Sequence, residues 1–198
     1  SLRIKHLYGH DHLIGSAYSI NGYKVAADLG GELALGILGD KAAKAGISLA
    51  CYMVPNHTGL DCPWILDHPE WYIGTFKKPV STWEYNSENR SQRDGIQIRI
   101  EDGYYTQQEA AEAFQYTTSL GFGPLYIYHG NDGTSMPWND TAQLNYLNPR
   151  VREEVKKQIL DVARRFKIIR LDAAMTLLRG HYKRLWYPAP KGEDFIPT

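Results

Sequence analysis

The sequence predicts an α/β protein with a parallel sheet, and three observations carry that prediction. A helical pattern runs into a short apolar strand pattern. The same helix-to-strand step recurs near the end of the chain. Between the two lies a long stretch punctuated by Gly, Pro, Asn and Asp.

Residues 1–31 are polar and rich in Gly, His and Tyr, which reads as a long loop. The stretch 32–45 places Leu33, Leu35, Ile37, Leu38 and Ala42 at helical spacing and stops before Gly46, a residue suited to the left-handed turn that ends helices. Ile47-Ser-Leu-Ala-Cys-Tyr-Met-Val54 follows, closed by Pro55. A continuous apolar run of that length is the pattern of a strand covered on both faces, and a helix feeding such a strand belongs to a parallel sheet.

From Asn56 to Asn148 only short strand-like pieces occur, such as Ile96 to Ile100 and Leu125 to Tyr128. A structureless loop of roughly ninety residues would be anomalous in a compact domain. The stretch therefore reads as an inserted subdomain. Regular structure resumes at Asn148-Pro149, a helix start, with Val151, Val155, Ile159, Leu160, Val162 and Ala163 on one face. Ile168-Ile-Arg-Leu-Asp172 is a second buried strand, and an amphipathic segment at 173–186 runs into a Pro-rich end. The expected division is 1–57, the insertion 58–147, and 148–198. Both strands end in polar groups, where β/α barrels carry their chemistry. Two strands cannot close a barrel, so the sheet is a smaller one or the chain is part of something larger.

Bulk composition narrows the partners. Lys plus Arg and Asp plus Glu number 22 each, so no net field draws the chain to nucleic acid or to an anionic membrane. No apolar stretch approaches the length of a membrane span. The first residues lack the apolar core of a secretory signal, which leaves the compartment open with the cytoplasm as the default. A neutral ligand fits this balance. The 14 Tyr and 5 Trp supply flat faces of the kind sugars stack on, although such rings also fill cores. Cys51 and Cys62 make neither a disulfide framework nor a metal set and read as free thiols.

Candidate chemistry sits at the two strand ends. Side chains at i and i+2 of a strand face the same side, so Arg170 and Asp172 project together. A guanidinium beside a carboxylate keeps it ionised, as a nucleophile requires. The plain alternative is a structural Arg–Asp pair. Asn56 offers a hard oxygen suited to calcium, and His57 can donate to a hydroxyl. Such a pair is also an ordinary turn former with a satisfied imidazole. Glu101-Asp102-Gly103, Asp132-Gly133 and Asn139-Asp140 are turn signals first and binding candidates second. His6, His10 and His12 lack the spacing and companions of a zinc site.

Taken together, these segments resemble the α-amylase family, glycoside hydrolase family 13. Tyr52-Met-Val-Pro-Asn-His57 is similar to the signature ending the third barrel strand, usually Asp-x-Val-x-Asn-His. Ile169-Arg-Leu-Asp-Ala-Ala174 is similar to that ending the fourth, Phe-Arg-x-Asp-Ala. Gln143-Leu-Asn145 resembles the motif closing the inserted domain B. Gly15-Ser-Ala-Tyr-Ser-Ile20 with Asp28-Leu-Gly-Gly31 resembles the loop after the second strand.

The resemblance implies a partial (β/α)8 TIM barrel, about strands 3 and 4 with flanking helices, interrupted by domain B. It implies an α-glucan-active retaining hydrolase or transglycosylase, with α-glucan or maltooligosaccharide as substrate. The alternative it leaves is a non-catalytic relative that binds carbohydrate or a protein partner. Asp172 would attack the anomeric carbon, with Arg170 holding it ionised. His57 would hydrogen-bond the sugar on the non-reducing side of the scissile bond, and Tyr18 would stack under it. Asn56 would contribute to a Ca2+ site, with Asp140 a second ligand candidate.

Retaining glycosidases work with two carboxyl groups about 5 to 5.5 Å apart. The family's general acid and the rest of the barrel are expected outside Ser1 to Thr198. The departures are Tyr52 where the family usually has aspartate, Met175-Thr176 in place of a frequent Lys-His, Ser19 where relatives acting on short oligosaccharides often have aspartate, and Ala17 and Ala27 at positions often held by proline. A bulky phenol at Tyr52 removes a carboxylate close to Asp172 and is expected to crowd it.

Overall fold

A computed structural model of the chain describes residues 16–79, 84–86, 93–102, 112–119, 121, 123–132 and 137–178. Its strands are β1 (Ala50–Met53), β2 (His57–Gly59), β3 (Gly74–Thr75), β4 (Ile96–Arg99), β5 (Ala113–Thr118), β6 (Leu125–Tyr128), β7 (Thr141–Gln143) and β8 (Ile168–Leu171). The α-helices are α1 (Gly31–Lys44), α2 (Pro63–Asp67) and α3 (Pro149–Arg165). His6, His10, His12 and Gly15 lie outside the described residues, as do Gly103, Gly133 and the segment beyond Leu178.

The two predicted strands are present and pair with each other in parallel, Ala50 opposite Ile168 through Met53 opposite Leu171. The helix that precedes each is present too. At the end of α1, Gly46 adopts φ 73°. Its N–H reaches the Ala43 carbonyl, and the Ile47 N–H reaches that of Ala42. This is the pair of hydrogen bonds that a left-handed glycine makes at a helix end. At the start of α3, Asn148 caps the helix by accepting from the Arg150 N–H at 2.9 Å, and Pro149 takes the first helical position.

The burial expected for the strands does not hold. Of β1 only Met53 is buried, and none of β8 is. No residue of α1 is buried, with Leu33 78% and Ile37 50% exposed. The physical reason is that a parallel strand is covered by elements on both sheet faces. Among the described residues this sheet has two strands, and its apolar face meets too little of the chain. On α3 the buried residues are Val151, Val155 and Val162, whereas Leu160 is 48% exposed and points off that stripe.

The main core lies in the stretch read as an insertion. A four-stranded antiparallel sheet, ordered β3-β6-β5-β4, packs Ile98, Phe114, Tyr116 and Ile127 against Leu60, Ile65 and Trp71, and onto Val151 and Val155 of α3. A second pair, β2 with β7, sets His57 opposite Gln143. That ladder joins the segment after β1 to the one before α3, and so draws both ends of the insertion to the same place. Both cysteines are free thiols. No described helix is long and apolar enough to cross a membrane.

Candidate active site

Asp172 stands one residue past β8. Its N–H donates to the Met53 carbonyl at 2.7 Å, which extends the parallel ladder one step beyond the strand. The chain then turns through Ala173 in the left-handed region, φ 50°, a position uncommon for a residue with a Cβ. The 3-10 turn that follows brings Thr176, 1% exposed, back beneath the strand ends.

Thr176 Oγ1 lies 2.8 Å from Asn56 Oδ1 and 2.6 Å from the Ala173 carbonyl. Its single proton serves one acceptor at a time. Asn56, fully buried, also accepts from Gln143 Nε2 at 3.2 Å and presents its own Nδ2 to His57 Nδ1 at 3.3 Å. Asn56 is thus a hub between β1, β7 and the turn after Asp172. Its amide oxygen has Gln143 Nε2 and the shared Thr176 hydroxyl within hydrogen-bond reach. A calcium ion at that oxygen would compete with these two side chains.

His57 is 3% exposed. Its Nε2 lies 3.1 Å from the Tyr18 carbonyl, to which it donates, and its Nδ1 accepts from Asn56. These partners select the neutral Nε2–H tautomer. Burial, partly offset by the Tyr18 carbonyl and by the Asp172 charge, pushes its pKa down to about 4. With both nitrogens engaged, His57 reaches a sugar hydroxyl only by giving up the Tyr18 carbonyl. Its ring lies 5.1 Å from that of Trp138.

Tyr18, His57, Asp140 and Asp172 line one cavity of about 290 Å³ together with Ser16, Trp138 and Thr141. This is about the size of a small-ligand site. Four of the six residues singled out from the sequence therefore meet there; Asn56 stands behind His57, and Arg170 lies on the strand below. Burial raises the carboxyl of Asp140. The backbone carbonyl of Asp140 holds the loop bearing Tyr18 by accepting from Ser19 Oγ at 2.8 Å.

Two participants carry no role in the sequence pattern. Trp138, in a stretch that reads as turns, forms part of the cavity wall. Tyr52 reads from sequence as an obstructive replacement, yet its phenol donates to Asp172 Oδ1 at 2.7 Å. Arg170, expected beside Asp172, makes no ion pair with it among the described residues. Its guanidinium instead lies over the Tyr52 ring, 4.9 Å from the centroid. The register explains this: Tyr52 is directly opposite Arg170, so the aromatic ring fills the space into which the guanidinium would otherwise extend.

No protein-family model matches the chain, and no curated protein matches it. Similar solved structures include a "Family GH13_31 enzyme", 19% identical with a TM-score of 0.49, the match covering 78% of this chain and 25% of that one. Another is isomaltulose synthase (PalI) from Klebsiella sp. LX3, 15% identical with a TM-score of 0.49, covering 82% and 26%. The chain spans about a quarter of the length of these two solved chains. At that overlap and identity, any chemistry has to be argued from the side chains of this chain.

Proposed function

We propose that this chain carries the nucleophile side of a retaining α-glucosidic active site of the α-amylase type, with Asp172 as nucleophile. The observation that supports the reading is the shared cavity. Tyr18, His57 and Asp172 are far apart in sequence, and they come from three of the segments that resemble that family's signatures, yet they line one hollow of about 290 Å³. An open carboxylate beside aromatic faces suits a neutral, ring-shaped ligand, with Tyr18 and Trp138 as the stacking surfaces. Retaining chemistry also needs a proton donor for the leaving oxygen. No described residue is assigned that role. Calcium has no assigned part in this reading.

α-Glucosyl fluoride tests the nucleophile by itself, because fluoride departs without being protonated. The expected result is a glucosyl adduct on the peptide containing Asp172, abolished by Asp172→Asn. An adduct that persists in that variant would move the nucleophile elsewhere. A second reading, a site that binds α-glucan without turnover, is favoured by the Tyr52 phenol resting on one Asp172 oxygen. Saturable maltooligosaccharide binding with no adduct from the fluoride would select it.

A further inference from the structure

We propose that Tyr52 is a positioning residue for Asp172, fixing Oδ1 so that Oδ2 is the attacking atom, and that its hydroxyl speeds breakdown of the glycosyl-enzyme more than its formation. This rests on the reading of Asp172 as the nucleophile.

Three contacts hold the Tyr52 ring in place. The backbone register sets it opposite Arg170, whose guanidinium lies 4.9 Å from its centroid. The ring of Tyr18 meets it edge-on at 6.0 Å. Its hydroxyl donates to Asp172 Oδ1 at 2.7 Å, within the range of a charge-assisted bond. Asp172 is held independently by its own N–H on Met53. Oδ2 takes no hydrogen bond from the described residues, while the residue itself lines the cavity. One oxygen is therefore gripped and the other is open. The bond to Asp172 is the largest of the influences that push the Tyr52 phenol up to about 12, so it remains a donor at any working pH.

The kinetic consequence follows from where charge goes. When Oδ2 bonds to the anomeric carbon of α-glucosyl fluoride, the carbon–fluorine bond breaks and fluoride leaves with the electron pair. Oδ1 becomes the carbonyl oxygen of an ester, and the Tyr52 hydrogen bond weakens as the carboxylate loses its charge. In the second step a water oxygen bonds to the anomeric carbon and its proton passes to solvent. The carbon–Oδ2 bond breaks, and its electron pair returns to the carboxylate. The Tyr52 hydrogen bond strengthens as that charge reappears, so the donor favours the second transition state over the ester before it.

Tyr52→Phe, which keeps the ring and its contacts, tests this on α-glucosyl fluoride. The expected result is a longer-lived glucosyl-Asp172 adduct, with kcat and KM falling together on the order of tenfold, less than the loss of a fully dry donor. A purely structural role would instead lower kcat/KM. Equal adduct lifetimes in the two proteins, or a fall in kcat/KM with KM unchanged, would overturn the Tyr52 proposal and leave the nucleophile assignment standing. Absence of any adduct in either protein would overturn both. The contact itself is read without turnover, from the 13Cζ resonance of Tyr52, which is expected to move in Asp172→Ala. A resonance that stays in place overturns the proposal even if the kinetics are ambiguous.

Discussion

Gly130 lies against the imidazole of His57 with no room for a side chain: a Cβ there would stand 2.9 Å from His57 Cγ and Nδ1, and 2.7 Å from Thr141 Oγ1. The Gly130 N–H donates to that same Thr141 oxygen at 2.9 Å, so the backbone cannot simply withdraw. The Gly130 backbone thus leaves no space for a side chain on that side of the His57 ring.

Gly130→Ala is accordingly expected to lower stability by about 1–3 kcal/mol, the usual range for overpacking a filled interior. The measurement is the denaturant midpoint. The same variant should displace the His57 ring resonances. An unchanged midpoint with unmoved resonances would show that the site relaxes freely, contrary to the geometry.

Two buried histidines are expected to lower stability as the pH falls. His57 and His129 are both pushed down to about 4 by burial, and His129 Nδ1 is committed to the Thr141 carbonyl at 2.8 Å. Between their unfolded value of about 6.5 and about 4, the unfolded chain binds protons that the native state does not. Their contribution is therefore full above about 6.5 and is lost as the pH drops toward 4, by up to about 3 kcal/mol for each residue. Burial raises the carboxyls of Glu112 and Asp140, which act in the opposite direction because the native state then binds the extra protons. Comparing His129→Gln with the parent isolates the histidine part. A variant whose midpoint falls as steeply as the parent's between pH 6.5 and 4.5 would exclude His129 as a contributor.

Thr176→Val keeps shape and removes the hydroxyl shared between Asn56 and the Ala173 carbonyl. The expected loss is about 1–2 kcal/mol, because Asn56 Oδ1 retains Gln143 as a donor. The turn that holds Asp172 should loosen with it. Thermal unfolding measures the first effect, and the rate of adduct formation from α-glucosyl fluoride measures the second. Full stability would mean that Ala173 is held in its left-handed conformation by something other than Thr176.

Calcium is expected to leave the unfolding midpoint unchanged, and so is a chelator. The Asn56 oxygen faces Gln143 Nε2 and the shared Thr176 hydroxyl, and a cation there would compete with both. Stabilisation that grows with calcium concentration would show binding to the native state and reverse this expectation.

Much of the architecture is legible in local pattern. The stop at Gly46, the start at Asn148-Pro149 and the strand runs through Tyr52 and Arg170 each rest on short-range rules: a left-handed glycine, a side-chain cap, an apolar run. β5 does not stand out, because its alternation in Ala113–Thr118 is buried within a Tyr- and Thr-rich stretch with no clear turn before it. The burial of the strands is misjudged for a different reason. An apolar run says what a strand requires, and it does not say which elements are near enough to cover it.

For the site, the sequence by itself determined the chemical inventory: a carboxylate and a guanidinium two residues apart, an Asn-His pair after a strand, and an aromatic-rich loop. Their meeting was decided by tertiary structure. Parallel pairing of β1 with β8 sets Tyr52 opposite Arg170, and the β2–β7 ladder carries His57 to Gly130. Register between strands more than a hundred residues apart depends on the whole insertion folding between them, and no local pattern encodes it. For that reason the sequence points to Arg170, two positions away on the same strand, as the partner of Asp172. In the folded chain it is Tyr52, across the ladder, at 2.7 Å.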